Sequence, residues 1–162
     1  LKGDGQQLPP RASAAAIAVA SLGGLLAIAL VAGLTDAVDE LLILGSFGAT
    51  CVLVFGYPDV PFSQPRNVVA GHVLSTLCGL VALELFDLHW WTPAIAVGAA
   101  IAVMMATRTV HPPAGSNPVI VALAAPGWDF LWFPTLLGAI LVVLFAVIFN
   151  NAVRDQRYPK YW

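Results

Sequence analysis

Apolar residues along this chain gather in long uninterrupted runs, separated by short stretches in which Gly, Pro and charged residues concentrate. A helix needs about 20 apolar residues to cross the hydrocarbon core of a bilayer, so three runs predict full spans: Ala12 to Leu34, Val68 to Phe86 and Phe130 to Phe149. A fourth, Thr92 to Ala106, is shorter but unbroken, with Pro93 in the first turn where a missing N–H is tolerated. Two further pieces, Leu41 to Phe55 and Pro113 to Ala125, are too short for ordinary spans. Each is interrupted by small and polar residues, Gly45-Ser46-Phe47-Gly48-Ala49-Thr50 in one and Pro113-Ala114-Gly115-Ser116-Asn117-Pro118 in the other. Such pieces either re-enter the face they came from or cross as broken helices.

Composition turns this pattern into a class. Of 162 residues, 59% are hydrophobic and only 10% charged, against about a quarter charged in soluble domains; mean hydropathy is +0.86. The chain is an integral membrane protein, with the lipid bilayer as its first partner. A net charge of -2 with no clustered basic face excludes a nucleic-acid footprint. Cys51 and Cys78 lie singly in apolar runs, without metal-ligand spacing, and read as small buried side chains.

Charge also orders the segments, because Lys and Arg collect at the cytoplasmic ends of spans. If both short pieces cross, Lys2, Arg11, Arg66, Arg108, Arg154, Arg157 and Lys160 all fall on one side, and Asp36, Asp39, Glu40, Glu84, Asp87 and Asp129 on the other. If both re-enter, Arg66 and Arg108 move away from the other five. The first arrangement is the better one. It predicts an all-α membrane fold of about six crossings, built as two inverted three-segment units with one short broken helix in each. The transmembrane domain covers residues 12–150, in halves 12–86 and 92–150, between tails 1–11 and 151–162. Gly48-Ala49-Thr50 has its counterpart 67 residues on in Gly115-Ser116-Asn117, and an odd number of crossings per unit inverts the second copy, as in many transporters.

A helix that starts in mid-membrane exposes unpaired N–H groups and the positive end of its dipole, which attract anions. The half-helices after Gly48 and Pro118 would bring Ser46, Gly48, Ala49 and Thr50 near Gly115, Ser116 and Asn117, where hydroxyl and amide groups can donate to an oxyanion. The same residues also serve as caps and close-packing positions. Pro112 and Pro113 hold the backbone after His111 extended, and non-helical backbone at depth survives only inside protein or against a wet cavity. Arg66 and Arg108 read either as snorkelling anchors or as a positive vestibule. His72 shares a helical face with Ser75, Thr76 and Gly79, while Asn67, Gly71, Ser75 and Gly79 form a small-residue seam. His89, beside Trp90 and Trp91, belongs to an interfacial aromatic belt.

Three ordered motifs now resemble a known family: Gly45-Ser46-Phe47-Gly48-Ala49-Thr50, then Gln64-Pro65-Arg66-Asn67 with Gly71-His72, then Thr107-Arg108-Thr109-Val110-His111-Pro112-Pro113-Ala114-Gly115. With the closing Tyr158-Pro159-Lys160-Tyr161-Trp162, they are similar to the HPP family of integral membrane proteins, over nearly the whole chain. The resemblance implies transport, since members in cyanobacteria and plastids are associated with nitrite movement. It equally implies a cyanobacterial-type inner membrane or a chloroplast envelope. Where many members continue with Ala-Thr-Ala, this chain has Ser116-Asn117-Pro118, a departure at the start of the second half-helix.

The expected function is therefore a transporter or channel for a small monovalent oxyanion, nitrite before nitrate, without cofactor or metal. The candidate binding residues are Ser46, Gly48, Ala49, Thr50, Arg66, Asn67, His72, Arg108, His111, Gly115, Ser116 and Asn117. An intramembrane enzyme would need Ser116 with His111 or His72, but no G-x-S-x-G or H-E-x-x-H motif supports one. A structural membrane subunit is the other alternative. So thin a bundle predicts a homodimer or homotrimer, with Gly23, Gly24 and Ala27 among the contacts between copies.

Overall fold

The computed structural model describes residue 5 and residues 7–162, and among these it is entirely helix and turn, without strands. The expected position of Lys2 lies outside the described residues, as do residues 1–4 and 6 of the tail 1–11. Helix α1 runs Ala14–Val38, opened by Ser13, whose hydroxyl accepts from Ala16 N at 3.1 Å. Helix α2, Ser46–Cys51, continues as a π-helical stretch Val52–Gly56. Helix α3, Pro65–Phe86, starts with Pro in its first turn, as does α4, Thr92–Ala106. A short 3-10 turn, Pro112–Ser116, leads into α5, Asn117–Ala124, and α6 spans Leu137–Val153.

Three helical stretches are long and apolar enough to cross a membrane: Ala14–Val38, Pro65–Phe86 and Trp128–Val153; Ser46–Gly56 and Thr92–Ala106 are shorter apolar helices. The last span is not regular from Phe130, as its apolar run suggested. Pro134 forces Phe133 out of the helical region, to φ -126 and ψ 113, so the regular helix begins only at Leu137. Likewise Leu41 to Leu44 enters as non-helical chain and only Ser46 onward is helical.

Helix α3 is the centre, with α4, α5 and α6 packed along it. An apolar core formed by Val54, Phe55, Val142, Ala146 and Phe149 joins α1, α2 and α6. Helix α1 buries only Gly23, Ala27 and Val31, a single i, i+4 seam. A Cβ at Gly23 would come within 2.6 Å of the Phe55 ring and 2.9 Å of Phe149. Gly23 and Ala27 therefore serve contacts within the chain, contrary to the expectation that they join copies. Large apolar side chains cover the outside, Leu123 being 84% exposed, which a bilayer tolerates and water does not.

The two ends of the bundle differ in charge. At one end Asn150 Nδ2 donates to the Val54 carbonyl at 3.0 Å, Arg154 donates to the Phe55 carbonyl, Tyr158 donates to the Ser63 carbonyl at 2.7 Å, and Arg66 to the Thr107 carbonyl at 3.2 Å. That end carries Arg66, Arg108, Arg154 and the Lys160–Asp59 ion pair of 2.9 Å. Glu84, Asp87 and Trp128 gather at the other, near the α3–α4 turn with Trp90 and Trp91.

Candidate functional site

Where α2, α3, the turn after His111 and the start of α5 meet, the buried side chains are polar. Thr50 Oγ1 on α2 stands 2.9 Å from His72 Nε2 on α3 and 2.9 Å from His111 Nε2. On the far side of His72, Asn117 Nδ2 lies 3.1 Å from Nδ1 and donates to Thr76 Oγ1 at 2.9 Å, which in turn meets Thr135 Oγ1 at 3.2 Å. The two imidazole rings sit edge to face with centroids 5.0 Å apart, and Phe47 closes His72 from the other side at 5.0 Å. Thr50, His72, His111 and Asn117 are all fully buried. Among the described residues no Asp, Glu, Lys or Arg is buried with them, so the knot is a set of neutral donors and acceptors.

Local sequence explains each position. His111 is held in extended conformation, φ -135 and ψ 100, ahead of two prolines. Its segment lies flush on α3 because Gly71 has no side chain; a Cβ there would be 2.7 Å from His111 Cβ and 3.1 Å from the Thr109 carbonyl oxygen. Asn67 fastens the same segment by donating to the Val110 carbonyl at 2.9 Å, and Ser75 donates to the Ala114 carbonyl at 2.6 Å. Gly79 admits Pro118, whose Cα would lie 2.9 Å from a Cβ, and so seats the start of α5 against α3. Two buried atoms of the knot have no partner, Ser46 Oγ and Asn117 Oδ1. In a dry interior an unpaired polar atom costs about 1–3 kcal/mol, which makes them the places where a small polar solute would gain most.

Of the twelve residues singled out in the sequence, the structure brings Thr50, His72, His111 and Asn117 into direct contact, with Ser46 and Asn67 one bond away. Gly48, Ala49 and Ser116 are exposed, and Gly115 is half-buried. The Ser116 hydroxyl turns back to the Pro113 carbonyl at 2.8 Å, a local turn bond. Arg66 and Arg108 are exposed at the basic end, outside the knot. Arg108 holds a left-handed φ of 58, which no motif signalled.

Sequence reasoning did not find Thr135, the Phe62 carbonyl, or the C-terminal strap. His111 Nδ1 reaches Phe62 O at 2.7 Å. Gln64 is fully buried; its amide donates to the Pro58 and Val60 carbonyls, and its Oε1 accepts from Lys160 N at 2.7 Å. Tyr161 donates to Asn67 Oδ1 at 3.2 Å, so the tail closes over the residue that fastens the His111 segment. Burial pushes the Tyr158 phenol up from its ordinary value. The signal was available in the aromatic close of the chain, but nothing in it named a partner.

A family model described as the HPP transmembrane region matches residues 9–159. Two Dictyostelium discoideum proteins, each named only as a transmembrane protein, are 36% identical to the chain. One aligns over 154 residues, 89% of this chain and 54% of its own length, and the other over 132 residues, 76% and 42%. The chain thus spans about half the length of the curated relatives it matches. No solved structure matches it. The match runs through the Gly45 to Thr50, Gln64 to His72 and His111-Pro112-Pro113 segments that build the buried knot, and the chain belongs to the HPP family of transmembrane proteins.

Proposed function

We propose that the chain is a transporter or channel for a small monovalent oxyanion, nitrite first and nitrate next, which passes between the starts of α2 and α5. The observation that carries this reading is the buried, uncharged polar knot at mid-bundle, with the Ser46 hydroxyl unpartnered inside it. A structural subunit has no use for so costly a group of polar side chains in an apolar bundle. Nitrite is favoured by the family resemblance, and an anion by the converging N–H groups of two short helices. Arg66 and Arg108 raise the anion concentration at the basic mouth.

Six crossings in two inverted halves are part of this proposal. Its support is a pair of matched contacts: Gly71 lies against the Thr109 carbonyl, and Gly138 lies against the Leu42 carbonyl. Both the glycines and the carbonyls stand 67 residues apart, the same offset as Thr50 and Asn117. Cysteine labelling from each side tests it, with residues 36–40 expected opposite residues 59–66. We also propose a homodimer or homotrimer, read by light scattering corrected for detergent, and a bacterial inner membrane or plastid envelope as its setting.

The decisive experiment is uptake by proteoliposomes offered nitrite, nitrate, formate and chloride. Nitrite should enter well above the rate in empty vesicles and be lost with Asn117→Leu. Absence of flux for all four anions overturns the reading.

A further inference from the structure

The hydrogen bonds of the knot fix their own direction. A carbonyl oxygen only accepts, so the 2.7 Å contact to Phe62 O puts the proton of His111 on Nδ1. In the neutral ring Nε2 is then an acceptor, and Thr50 donates to it at 2.9 Å. With its single hydrogen committed, Thr50 Oγ1 accepts from His72, whose proton is therefore on Nε2. His72 Nδ1 is left to accept from the Asn117 amide. The two histidines hold opposite tautomers, joined head to head through one hydroxyl.

That hydroxyl has a second acceptor, the Ser46 carbonyl at 3.2 Å. If a proton adds to the Nε2 lone pair of His111, this nitrogen becomes a donor. Thr50 then turns its hydrogen to Ser46 O and accepts from both rings. Both rings and the Thr50 hydroxyl stay paired in both states, and only one hydroxyl hydrogen has swung. A second proton finds no place, since His72 Nδ1 faces amide hydrogens and the rings are only 5.0 Å apart.

Among the described residues no other titratable group faces the pair. On α2 Cys51 turns toward α1, its Cβ 3.7 Å from a Cβ built on Gly24. On α3 Arg66 is exposed and bonded to Thr107 O, Cys78 lies more than a turn beyond His72, and Glu84 lies about three turns from His72 at the acidic end. Helices α4, α5 and α6 contain no Asp, Glu, Lys, Arg, Cys or Tyr. In the flanking loops Arg108 and Tyr57 are exposed, Asp59 pairs with Lys160, and Tyr161 bonds Asn67; Asp129 lies beyond α5.

We propose that His72, Thr50 and His111 form a binding site for one proton, taken from water and returned to it, with the Thr50 hydroxyl as the moving part. Its link to transport rests on the reading above: one proton loaded with one monovalent anion gives an uncharged cargo, which crosses without opposing the membrane potential.

Nitrogen-15 NMR of histidine-labelled full chain in micelles tests the site without any transport, using His89→Gln to remove the exposed third ring. One ring should carry its proton on Nε2 and the other on Nδ1, and both should shift at a single common midpoint as one proton is taken up. Thr50→Val should uncouple the rings, so that His111 titrates alone while His72 no longer shifts with it, and Thr50→Ser should restore the common midpoint. Matching tautomers, or independent titration in the parent, overturns the proposal, as does the absence of any protonation over the folded pH range. In vesicles, an acid-outside gradient should speed nitrite uptake about tenfold or more, and Thr50→Val should abolish that response. Uptake indifferent to the gradient overturns the proton site while leaving transport standing; coupled titration without any nitrite flux does the reverse.

Discussion

The two broken segments, 39–56 and 107–124, use one backbone device around two different chemistries. Each enters the bundle as non-helical chain, presses a carbonyl on a glycine of a long helix, and then turns into a short helix. Both bury a mixture in different proportion: Leu42, Leu44 and Phe47 with Ser46 and Thr50 in the first, and Thr109, His111 and Asn117 with Pro113 and Ala114 in the second. Depth is thus secured in both by the glycine contact and by enclosure. The polar residues of the second segment bond across the bundle, His111 to Thr50 and Asn117 to His72 and Thr76, and this network carries the functional reading.

The comparison is most sharply broken at the glycines. Gly138→Ala drives a methyl into the Leu42 carbonyl and to 2.5 Å from the Phe47 ring, both hard to move. It should cost about 3 kcal/mol and most of the folded yield, read by thermal unfolding in detergent; Gly71→Ala should cost less. Equal stability of Gly138→Ala and parent would show that the contact does not hold the segment. Next in size, Asn117→Leu removes the amide that bonds His72 and Thr76. Anion flux should fall about tenfold or more, while stability drops only about 1–3 kcal/mol; unchanged flux would place the path elsewhere.

A smaller effect belongs to the strap that closes only the basic end. Tyr158→Phe removes the bond to Ser63 O and should cost about 1 kcal/mol. Because burial raises the phenol's value in the folded state, its contribution is complete below about pH 10 and is lost as pH climbs beyond it. Alkaline unfolding curves of parent and variant should therefore converge at high pH. The smallest effect is expected at the exposed arginines. Arg66→Gln or Arg108→Gln should slow uptake about twofold to fivefold at low salt, and the loss should fade near physiological ionic strength.

Much of this was legible because a bilayer makes apolar runs easy to read. The cores of α1, α3 and α4 follow from their runs, whereas both short helices start two or three residues ahead of where Gly48 and Pro118 placed them, at Ser46 and Asn117. Thr50, His72, His111 and Asn117 could each be picked out as polar residues in apolar surroundings. Their pairing could not, since hydrogen bonds between residues 61 apart, such as Thr50 and His111, depend on how the helices lie. Arg66 and Arg108 read ambiguously because a flexible charged side chain near a helix end reaches either inward or to the interface. Gln64 was missed for a simpler reason: nothing local distinguishes a buried glutamine from a solvated one until the tail that covers it is in place.

With eight residues, α5 is about 12 Å long. A segment that short, opened by His111, Ser116 and Asn117, cannot leave the insertion machinery for lipid on its own hydrophobicity. It has to wait until α3, made earlier, offers His72 and Thr76 as partners for Asn117, and until α6 emerges behind it. The ribosome therefore delivers α5 as a passenger on its longer neighbours, and a defect in α3 is expected to be felt first as a failure of biogenesis.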